Sequence, residues 1–377
     1  MGIKMKKVPL LNERYKEYEK LDWVISHGVG VDHTADMTTF ASVLAQAGYL
    51  KNIDSYYYMR YDDSPERNYL PMIFYNVFGN PKIPVLLHEE VEPIGNLFNA
   101  IVAFTSSVLI QKTSQRALLF DGAKPDAVLV VNTSLTPDEV LKLVKKYNLS
   151  KSWYGKIVTV RTSLIDRSPS FPLLGALAKG WEKIDIDSIY DALDLLGKEN
   201  KKESIKKGFE NATVKNVEVE IQNEGNVDES IEIPEFNGKS WTPDIYYAYQ
   251  KAAASAKNYS QRIAAMPRWE VLSSGLIEFG PKPGNKNIGF TTPWKFRRPI
   301  LNREKCIDCK LCTYYCPNGA IDFTKIDFDY EYCTGCGICE KVCPTKAIEL
   351  KSEIESVEGL KDEEVPVKRF ESREYGF

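Results

Sequence analysis

All eight cysteines of the chain lie within a stretch of 38 residues near its C-terminal end, in two copies of one spacing. Each copy reads Cys-x-x-Cys-x-x-Cys-x-x-x-Cys-Pro, first at Cys306, Cys309, Cys312 and Cys316, then at Cys333, Cys336, Cys339 and Cys343. Thiolates at this spacing are typical ligands of two [4Fe–4S] clusters, each of which takes four of them. The spacing therefore predicts two iron–sulfur clusters, and one-electron transfer as the chemistry of this region.

The fourth cysteine of each copy is expected to bind the cluster of the other copy. Three closely spaced thiolates on one loop can hold three irons, so the fourth thiolate must come from elsewhere. We expect the first cluster to be held by Cys306, Cys309, Cys312 and Cys343. We expect the second cluster to be held by Cys333, Cys336, Cys339 and Cys316. Such a crossover would join both copies into one small unit.

Two other uses of clustered cysteines fit the sequence less well. Disulfides are typical of small secreted chains, and here they would leave most of a 377-residue chain without a bridge. Zinc sites also use Cys-x-x-Cys pairs, but a long spacer normally separates the pairs. The repeat also extends beyond the ligands, since Asn318-Gly319-Ala320-Ile321 corresponds to Thr345-Lys346-Ala347-Ile348. The pattern thus favours iron–sulfur ligation over both alternatives.

Length and composition are those of an ordinary soluble protein of two or three domains. The formal net charge is −3, which gives no overall field for nucleic acid or for an acidic membrane surface. No stretch approaches the roughly 20 apolar residues that a membrane span requires. The basic start of the chain leads into Leu11-Asn12-Glu13 and not into an apolar signal segment. We therefore expect a cytoplasmic protein.

Short apolar runs alternate with helical stretches between Asp22 and Leu196, which predicts an α/β domain with a mainly parallel sheet. A helix is expected from about Ala35 to Ala47. Another should begin after Thr136, where an N-cap residue, a proline and acids follow one another. Strands are expected at 23–26, 72–78, 85–87, 127–132 and 157–160.

The remainder of the chain divides into three segments. We place the α/β domain at residues 1–215, followed by a linker and lead-in at 216–298 with one helix near 246–265. A bacterial-type ferredoxin domain of the α+β class, with two [4Fe–4S] clusters, is expected at 299–351. An acidic tail at 352–377 completes the chain, and we expect it to be solvated.

Segments outside the cysteine region resemble a known enzyme family. The run Thr291-Thr292-Pro293-Trp294-Lys295-Phe296-Arg297-Arg298-Pro299 resembles the lead-in of the delta subunit of 2-oxoacid:ferredoxin oxidoreductases, and the likeness continues to about Leu350. Four other segments resemble the gamma subunit of these enzymes. They are the turn at Gly28 and Gly30, the run Ser64-Pro65-Glu66-Arg67, the strand from Val128 to Asn132 and the stretch from Phe171 to Leu177. The chain is therefore similar to a gamma subunit fused to a delta subunit in the pyruvate synthase-like family.

The resemblance implies an electron-transfer subunit. Enzymes of this family oxidatively decarboxylate a 2-oxoacid on thiamine diphosphate, commonly with coenzyme A as the acyl acceptor, and pass electrons to ferredoxin. Alpha and beta subunits would supply thiamine diphosphate, Mg²⁺ and a further [4Fe–4S] cluster, in an expected dimer of heterotrimers. This chain would carry no catalytic residue and would be inactive alone. The alternative is an iron–sulfur assembly or relay subunit of another redox complex, of the hydrogenase or formate type.

The glycine turn departs from the pattern of the resembled family. That pattern usually reads Gly-x-Gly-Gly-x-Gly, whereas Val31, Asp32 and His33 follow Gly30 here. These side chains limit the approach of a phosphate, and the carboxylate of Asp32 would repel one. We therefore expect a structural turn and no bound nucleotide. The three histidines show no metal-site spacing, and we expect structural roles for them.

Five basic residues are candidates for contacts with partners. The loop after Arg60 lacks the paired glycines usual in the family, so Arg60 and Arg67 are the residues left for a coenzyme A contact, with a surface or subunit contact as the alternative. Lys295, Arg297 and Arg298 precede the first cysteine. They would either dock an acidic ferredoxin or contact the thiamine-bearing subunits.

Overall fold

The structure is a computed structural model that describes residues 5–9, 18–29, 32–60, 71–79, 83, 95–111, 118–221, 230–235, 248–249, 251–252, 255, 261, 297–330 and 332–362. Its strands are β1 (Met5–Pro9), β2 (Asp22–Val29), β3 (Ser55–Arg60), β4 (Pro71–Phe78), β5 (Phe98–Ala103), β6 (Ala123–Asn132), β7 (Lys156–Val160), β8 (Thr213–Asn216), β9 (Ser230–Pro234), β10 (Arg297–Leu301) and β11 (Ile348–Ser352). Its α-helices are α1 (Asp32–Leu50), α2 (Pro137–Tyr147), α3 (Ser170–Gly180), α4 (Ile186–Leu195), α5 (Lys202–Asn211), α6 (Leu311–Tyr314), α7 (Ile338–Val342) and α8 (Glu353–Glu358). No described helix is long and apolar enough to span a membrane.

A seven-stranded sheet in the order β3-β4-β2-β5-β6-β7-β8 forms the centre of the first domain. Strands β2, β5, β6 and β7 pair in parallel, which confirms the predicted α/β class with a mainly parallel sheet. Antiparallel pairing adds β4 and then β3 beside β2, and β8 beside β7. The sequence analysis did not identify β3, β5 or β8. Strand β8 is mostly exposed, so its residues carry no apolar alternation.

Helices cover both faces of the sheet, and the side chains of β6 contribute to the apolar core on each face. Val128 and Val130 belong to the apolar core on the face of α1, α3 and α4. Leu129 and Val131 belong to the core on the opposite face, together with residues of α2. Successive side chains of a strand point to opposite faces, so a strand covered on both faces is apolar throughout. This is the physical reason for the uninterrupted apolar run that the sequence contains.

The predicted start of α2 is confirmed in detail. The Oγ1 atom of Thr136 accepts a hydrogen bond from the backbone N–H of Glu139 at 3.4 Å, and the Oε2 atom of Glu139 accepts one from the backbone N–H of Thr136 at 2.8 Å. This reciprocal pair is a capping box, and Pro137 occupies the first helical position. Helix α1 contains the predicted 35–47 segment. The strand expected at 85–87 lies outside the described residues, as does most of the helix expected near 246–265.

Two glycines allow α3 and α5 to pack closely together. A Cβ atom added to Gly175 on α3 would lie 2.0 Å from the carbonyl oxygen of Ile205, and one added to Gly208 on α5 would lie 2.2 Å from that of Pro172. Contacts of this length are below any van der Waals distance and involve backbone atoms that cannot turn aside. The two helices can therefore keep this spacing only with hydrogen atoms at both positions.

We expect Gly175→Ala to destabilise the first domain. Helix propensity alone would favour alanine by about 1 kcal/mol. Overpacking against the backbone of Ile205 should outweigh that gain and lower the free energy of unfolding by about 1–3 kcal/mol. Urea denaturation measures the change, with the exposed Lys206→Ala on α5 as the control. A variant as stable as the wild type would show that α3 and α5 do not need this close approach.

The predicted tail does not begin as a solvated segment. Residues 353–358 form α8 directly after β11, and the side chain of Ile354 is fully buried. Ile354 belongs to the apolar core of the first domain, on the face of α2. The expectation of a solvated tail is therefore wrong for these residues, because Ile354 brings apolar surface into that core.

Candidate metal centres

The two cysteine loops have the same backbone path, although their residues differ. Gly335 and Gly337 have φ values of 69° and 82°, and at the equivalent positions Asp308 and Lys310 have 57° and 63°. Left-handed backbone costs a non-glycine residue roughly 1–2 kcal/mol. The Nζ atom of Lys310 donates hydrogen bonds at 3.0 Å to the carboxylate of Asp308 and to the carbonyl of Thr324, which hold the first loop in this path.

The structure gathers the cysteines into two sets around two cavities. One cavity has Cys306, Cys309, Cys312 and Cys343 in its wall. The other cavity has Cys316, Cys333, Cys336 and Cys339 in its wall. Each set contains three cysteines of one copy and the fourth cysteine of the other, and apolar side chains such as Ile326 and Ile338 complete the walls.

The cysteines are spread around these walls. None of the eight, all of which the structure describes, forms a disulfide bond. Within the described part of the chain, no three side chains of His, Cys, Asp or Glu are grouped to hold a single metal ion. The thiols instead surround a space lined by apolar and backbone atoms, as the ligands of a bulky inorganic group would.

Backbone amides point at the sulfur atoms. The N–H groups of Ala320 and Ala347 donate to the Sγ atoms of Cys316 and Cys343 at 3.4 and 3.2 Å. These two contacts occupy equivalent positions of the repeat, just after each Cys-Pro. The Oγ1 atom of Thr345 lies 3.7 Å from the same sulfur of Cys343. Hydrogen bonds to sulfur stabilise its negative form, so this backbone is suited to thiolate ligands.

Hydrogen bonds to sulfur favour the thiolate, whereas burial of several thiols favours the protonated form. It raises the pKa of Cys312, Cys336 and Cys339 above the ordinary value. Burial also raises the pKa of Cys343, but hydrogen bonds from the Ala347 amide and from Thr345 outweigh it, so the net shift is downward. Metal ligation requires thiolates, and a bound metal displaces their protons. The donor set and its hydrogen bonds fit a [4Fe–4S] cluster in each cavity.

The two cavities differ in their exposure to solvent. Residues 307–309 of the first loop are exposed, whereas the equivalent Thr334 and Gly335 of the second are buried. Five large apolar side chains of the cysteine region are exposed: Ile307 (63%), Leu311 (38%), Tyr314 (73%), Tyr315 (59%) and Phe323 (52%). The rings of Tyr314 and Phe323 are in edge contact, with their centres 5.4 Å apart. Exposed apolar side chains that adjoin one another are typical of sites of protein contact.

Arg298 is committed inside the chain. Its Nε atom lies 2.6 Å from the Oε2 atom of Glu353, a side chain that is almost fully buried. Its guanidinium also lies 4.1 Å from the ring centre of Tyr330, whose hydroxyl donates to the carbonyl of Pro299 at 2.8 Å. The expected role of Arg298 in docking a partner is therefore replaced by an internal one. No signal in the sequence marks Glu353 as its partner.

The other candidate residues are not brought into one site. Arg60 is the last residue of β3, and its side chain is not among those described; Arg67 and Lys295 lie outside the described residues. Gly28 continues β2, where it pairs with Met72, and the strand runs to Val29, three residues beyond the predicted end. His27, before it, is buried, and loss of solvation lowers its pKa to about 4. A neutral buried histidine agrees with the structural role expected for it.

The cysteine region matches a known domain family, the 4Fe-4S dicluster domain, over residues 305–347. Residues 305–347 form a 4Fe-4S dicluster domain. This match supports the iron–sulfur clusters that the cysteine spacing predicts.

The dicluster domain is similar to small subunits of 2-oxoacid oxidoreductases. It is 46% identical over 52 residues to the pyruvate synthase subunit PorD of Thermotoga maritima, which covers 14% of this chain and 50% of that protein. It is 44% identical over 54 residues to PorD of Methanocaldococcus jannaschii, a match that covers 13% of this chain and 63% of that protein. It is 45% identical over 52 residues to the ketoisovalerate oxidoreductase subunit VorD of Pyrococcus furiosus, a match that covers 12% of this chain and 50% of that protein. The chain thus spans between half and two-thirds of the length of these relatives.

The first half of the chain is similar to solved gamma-type subunits. The pyruvate oxidoreductase subunit PORC of Thermotoga maritima is 19% identical with a TM-score of 0.38, covering 52% of this chain and 98% of that one. The gamma subunit of a keto/oxoacid ferredoxin oxidoreductase from Geobacter sulfurreducens is 14% identical with a TM-score of 0.33 (50% and 96%). TM-scores of this size do not establish a common fold. The delta-type match in the C-terminal region agrees with the resemblance seen in the sequence.

Proposed function

We propose that this chain is the fused gamma–delta electron-transfer subunit of a 2-oxoacid:ferredoxin oxidoreductase. The observation that carries the proposal is the pair of four-cysteine cavities in a domain similar to PorD and VorD subunits. The proposed ligands are Cys306, Cys309, Cys312 and Cys343 for one cluster and Cys333, Cys336, Cys339 and Cys316 for the other. When bound, such clusters supply one-electron transfer between the thiamine site of partner subunits and ferredoxin.

The chain's own residues would tune and shield this chemistry. Amide donors such as Ala320 and Ala347 stabilise negative charge on the sulfur atoms, which favours the reduced state of a bound group. The buried second loop would shield its cluster from water more than the exposed first loop shields its own, which would lower the local dielectric constant there. No acid–base or nucleophilic group of the chain takes part in the proposal. Decarboxylation belongs to alpha and beta subunits that carry thiamine diphosphate and Mg²⁺.

The same proposal covers the domains and partners. Residues 1–215 would be the gamma-like domain, 216–298 the linker and lead-in, 299–351 the ferredoxin domain and 352–377 the acidic segment. A coenzyme A contact by Arg60 and Arg67, a cytoplasmic location and a dimer of heterotrimers belong to it as well. The exposed apolar side chains around the first loop support contact with another subunit, because permanent interfaces are rich in such groups.

Anaerobic purification of the tagged full chain from its own cells tests the proposal. We expect two further subunits and thiamine diphosphate to co-purify, with reduction of ferredoxin by at least one 2-oxoacid. The full chain produced alone, with both clusters present, should oxidise no 2-oxoacid when thiamine diphosphate and Mg²⁺ are added. Partners containing nickel or molybdenum would instead identify the relay subunit of a hydrogenase- or formate-type complex. Turnover by the single chain would overturn the proposal as well.

A further inference from the structure

The two domains meet through a short segment that follows the second cysteine loop. We define the clasp as residues 353–362, which comprise α8 and the four residues after it. Strand β11 runs directly into the clasp, since Ser352 is both the last residue of β11 and the N-cap of α8. The backbone N–H of Ala347, which donates to the sulfur of Cys343, lies only a few residues earlier. The clasp is therefore continuous with the wall of a metal centre.

The clasp is anchored to the dicluster domain at its first residue. Strands β10 and β11 pair antiparallel, so that Arg298 faces Lys351 across the two-stranded sheet. The ion pair between Arg298 and the buried Glu353 then joins β10 to the start of α8. Both strands that flank the cysteine loops are thus attached to the clasp. A buried ion pair has a defined geometry because loss of either partner leaves an uncompensated charge.

The other side of the clasp lies on the first domain. Helix α8 packs against the 3₁₀ helix Ser106–Ile110, and Ile354 is fully buried in the core that contains Leu109. The carboxylate of Glu358 lies 2.8 Å from the Nζ atom of Lys146 and also accepts a hydrogen bond from the hydroxyl of Tyr147. These two contacts place the end of α8 on the last turn of α2.

The clasp ends in a carboxylate that is almost fully buried. Gly359 has a φ of 69°, a left-handed conformation that ends α8 and turns the chain back toward the first domain. Asp362 then accepts hydrogen bonds from the Oγ1 atom of Thr133 at 2.8 Å, and from the backbone N–H and Oγ atom of Ser134 at 3.2 and 3.0 Å. Thr133 and Ser134 follow the carboxyl end of β6. Three hydrogen bonds from Thr133 and Ser134 therefore hold the carboxylate of Asp362 in place.

We propose that the clasp is an intramolecular docking segment that holds the dicluster domain in one orientation on the α/β domain. Three contacts hold the clasp on the α/β domain. Ile354 lies in an apolar core at one end, the carboxylate of Asp362 accepts hydrogen bonds from hydroxyl and amide groups at the other end, and Glu358 forms an ion pair between them. The clasp fixes the position of both metal centres relative to the sheet. Because electron transfer depends steeply on distance, Asp362, Glu358 and Ile354 are positioning residues for it.

The proposal is tested by a distance measurement on the full chain with both clusters oxidised. Nitroxides are introduced at Asp187 on α4 and at Lys325 of the dicluster domain through a ketone-bearing amino acid, so that the cysteines remain with the metal. Both residues are exposed. Pulsed EPR should give one narrow distance distribution for the wild type. Asp362→Ala, and more strongly Asp362→Ala with Glu358→Gln, should add a broad component, because each lost charge-assisted hydrogen bond raises the released fraction about tenfold.

The controls separate docking from folding. Glu355→Ala removes an exposed acid from α8 and should leave the distribution unchanged. Iron content and the far-UV circular dichroism of all variants should equal those of the wild type, which a general loss of folding would not allow. A narrow, unshifted distribution in the double variant would overturn the proposal.

Discussion

Cys316→Ala is expected to remove the cluster of the second cysteine loop, although Cys316 belongs to the first copy of the repeat. In the structure Cys316 lies in the wall of the cavity that contains Cys333, Cys336 and Cys339. A chain with two complete clusters should contain about eight irons and eight acid-labile sulfides, and the variant about four of each. Iron analysis and the EPR spectrum of the reduced, anaerobically purified full chain measure the effect.

Two reference variants show which of the two clusters a substitution removes. Cys336→Ala removes a ligand of the second loop, and Cys309→Ala removes one of the first. The spectrum of Cys316→Ala should match that of Cys336→Ala, and the spectrum of Cys343→Ala should match that of Cys309→Ala. The opposite matching would mean that each copy holds its own cluster. Stoichiometric zinc in the wild-type chain would reject the iron–sulfur assignment altogether.

The second large effect is expected in the complete enzyme complex. Cys309→Ala or Cys336→Ala in this chain should lower 2-oxoacid-dependent reduction of ferredoxin about a hundredfold or more, because a cluster that lacks one of its four thiolates is lost or altered. The first decarboxylation event should persist, since the proposed function assigns it to the thiamine diphosphate of partner subunits. Release of CO₂ in a single turnover and the steady-state reduction of ferredoxin measure the two steps separately.

A matched substitution outside the metal centres controls for assembly. Glu349→Ala changes an exposed side chain of β11 in the same domain and should leave both steps at the wild-type level. The cysteine variants must also co-purify with the partner subunits in the usual ratio. Equal loss of decarboxylation and of ferredoxin reduction in a fully assembled complex would contradict the division of labour between subunits.

Local patterns in the sequence located the cysteine repeat, four strands (β2, β4, β6 and β7) and two helices (α1 and α2) of the described residues. The residues of a cysteine loop are neighbours in the chain, so their spacing alone predicts what they can ligate. The N-cap residue, the proline and the acids that start α2 lie within four consecutive positions, and the sequence located this helix start correctly. The apolar run of β6 was found because a doubly covered strand is apolar at every position. In each case the signal lies within one short window.

Strand β8 and the C-terminal end of β2 are only weakly indicated by the sequence. Strand β8 is mostly exposed and was not predicted, and it depends on pairing with β7 for its conformation. Strand β2 was predicted to end at Ser26, whereas pairing with β4 extends it to Val29 through the glycine turn. Strand pairing is a tertiary effect, because the partner strand comes from another part of the chain. Propensity within a short window does not contain that information.

The sequence by itself determined the ligand type, the repeat and the α/β class, since all three follow from spacing and periodicity along the chain. Only the tertiary structure decided how the acidic end is used. Asp362 meets Ser134 across 228 positions of sequence, and Arg298 meets Glu353 across 55. The sequence around an acidic residue is the same whether its side chain is solvated or buried. Its role is determined by the donors that folding brings to it, and those donors lie on other elements of the fold.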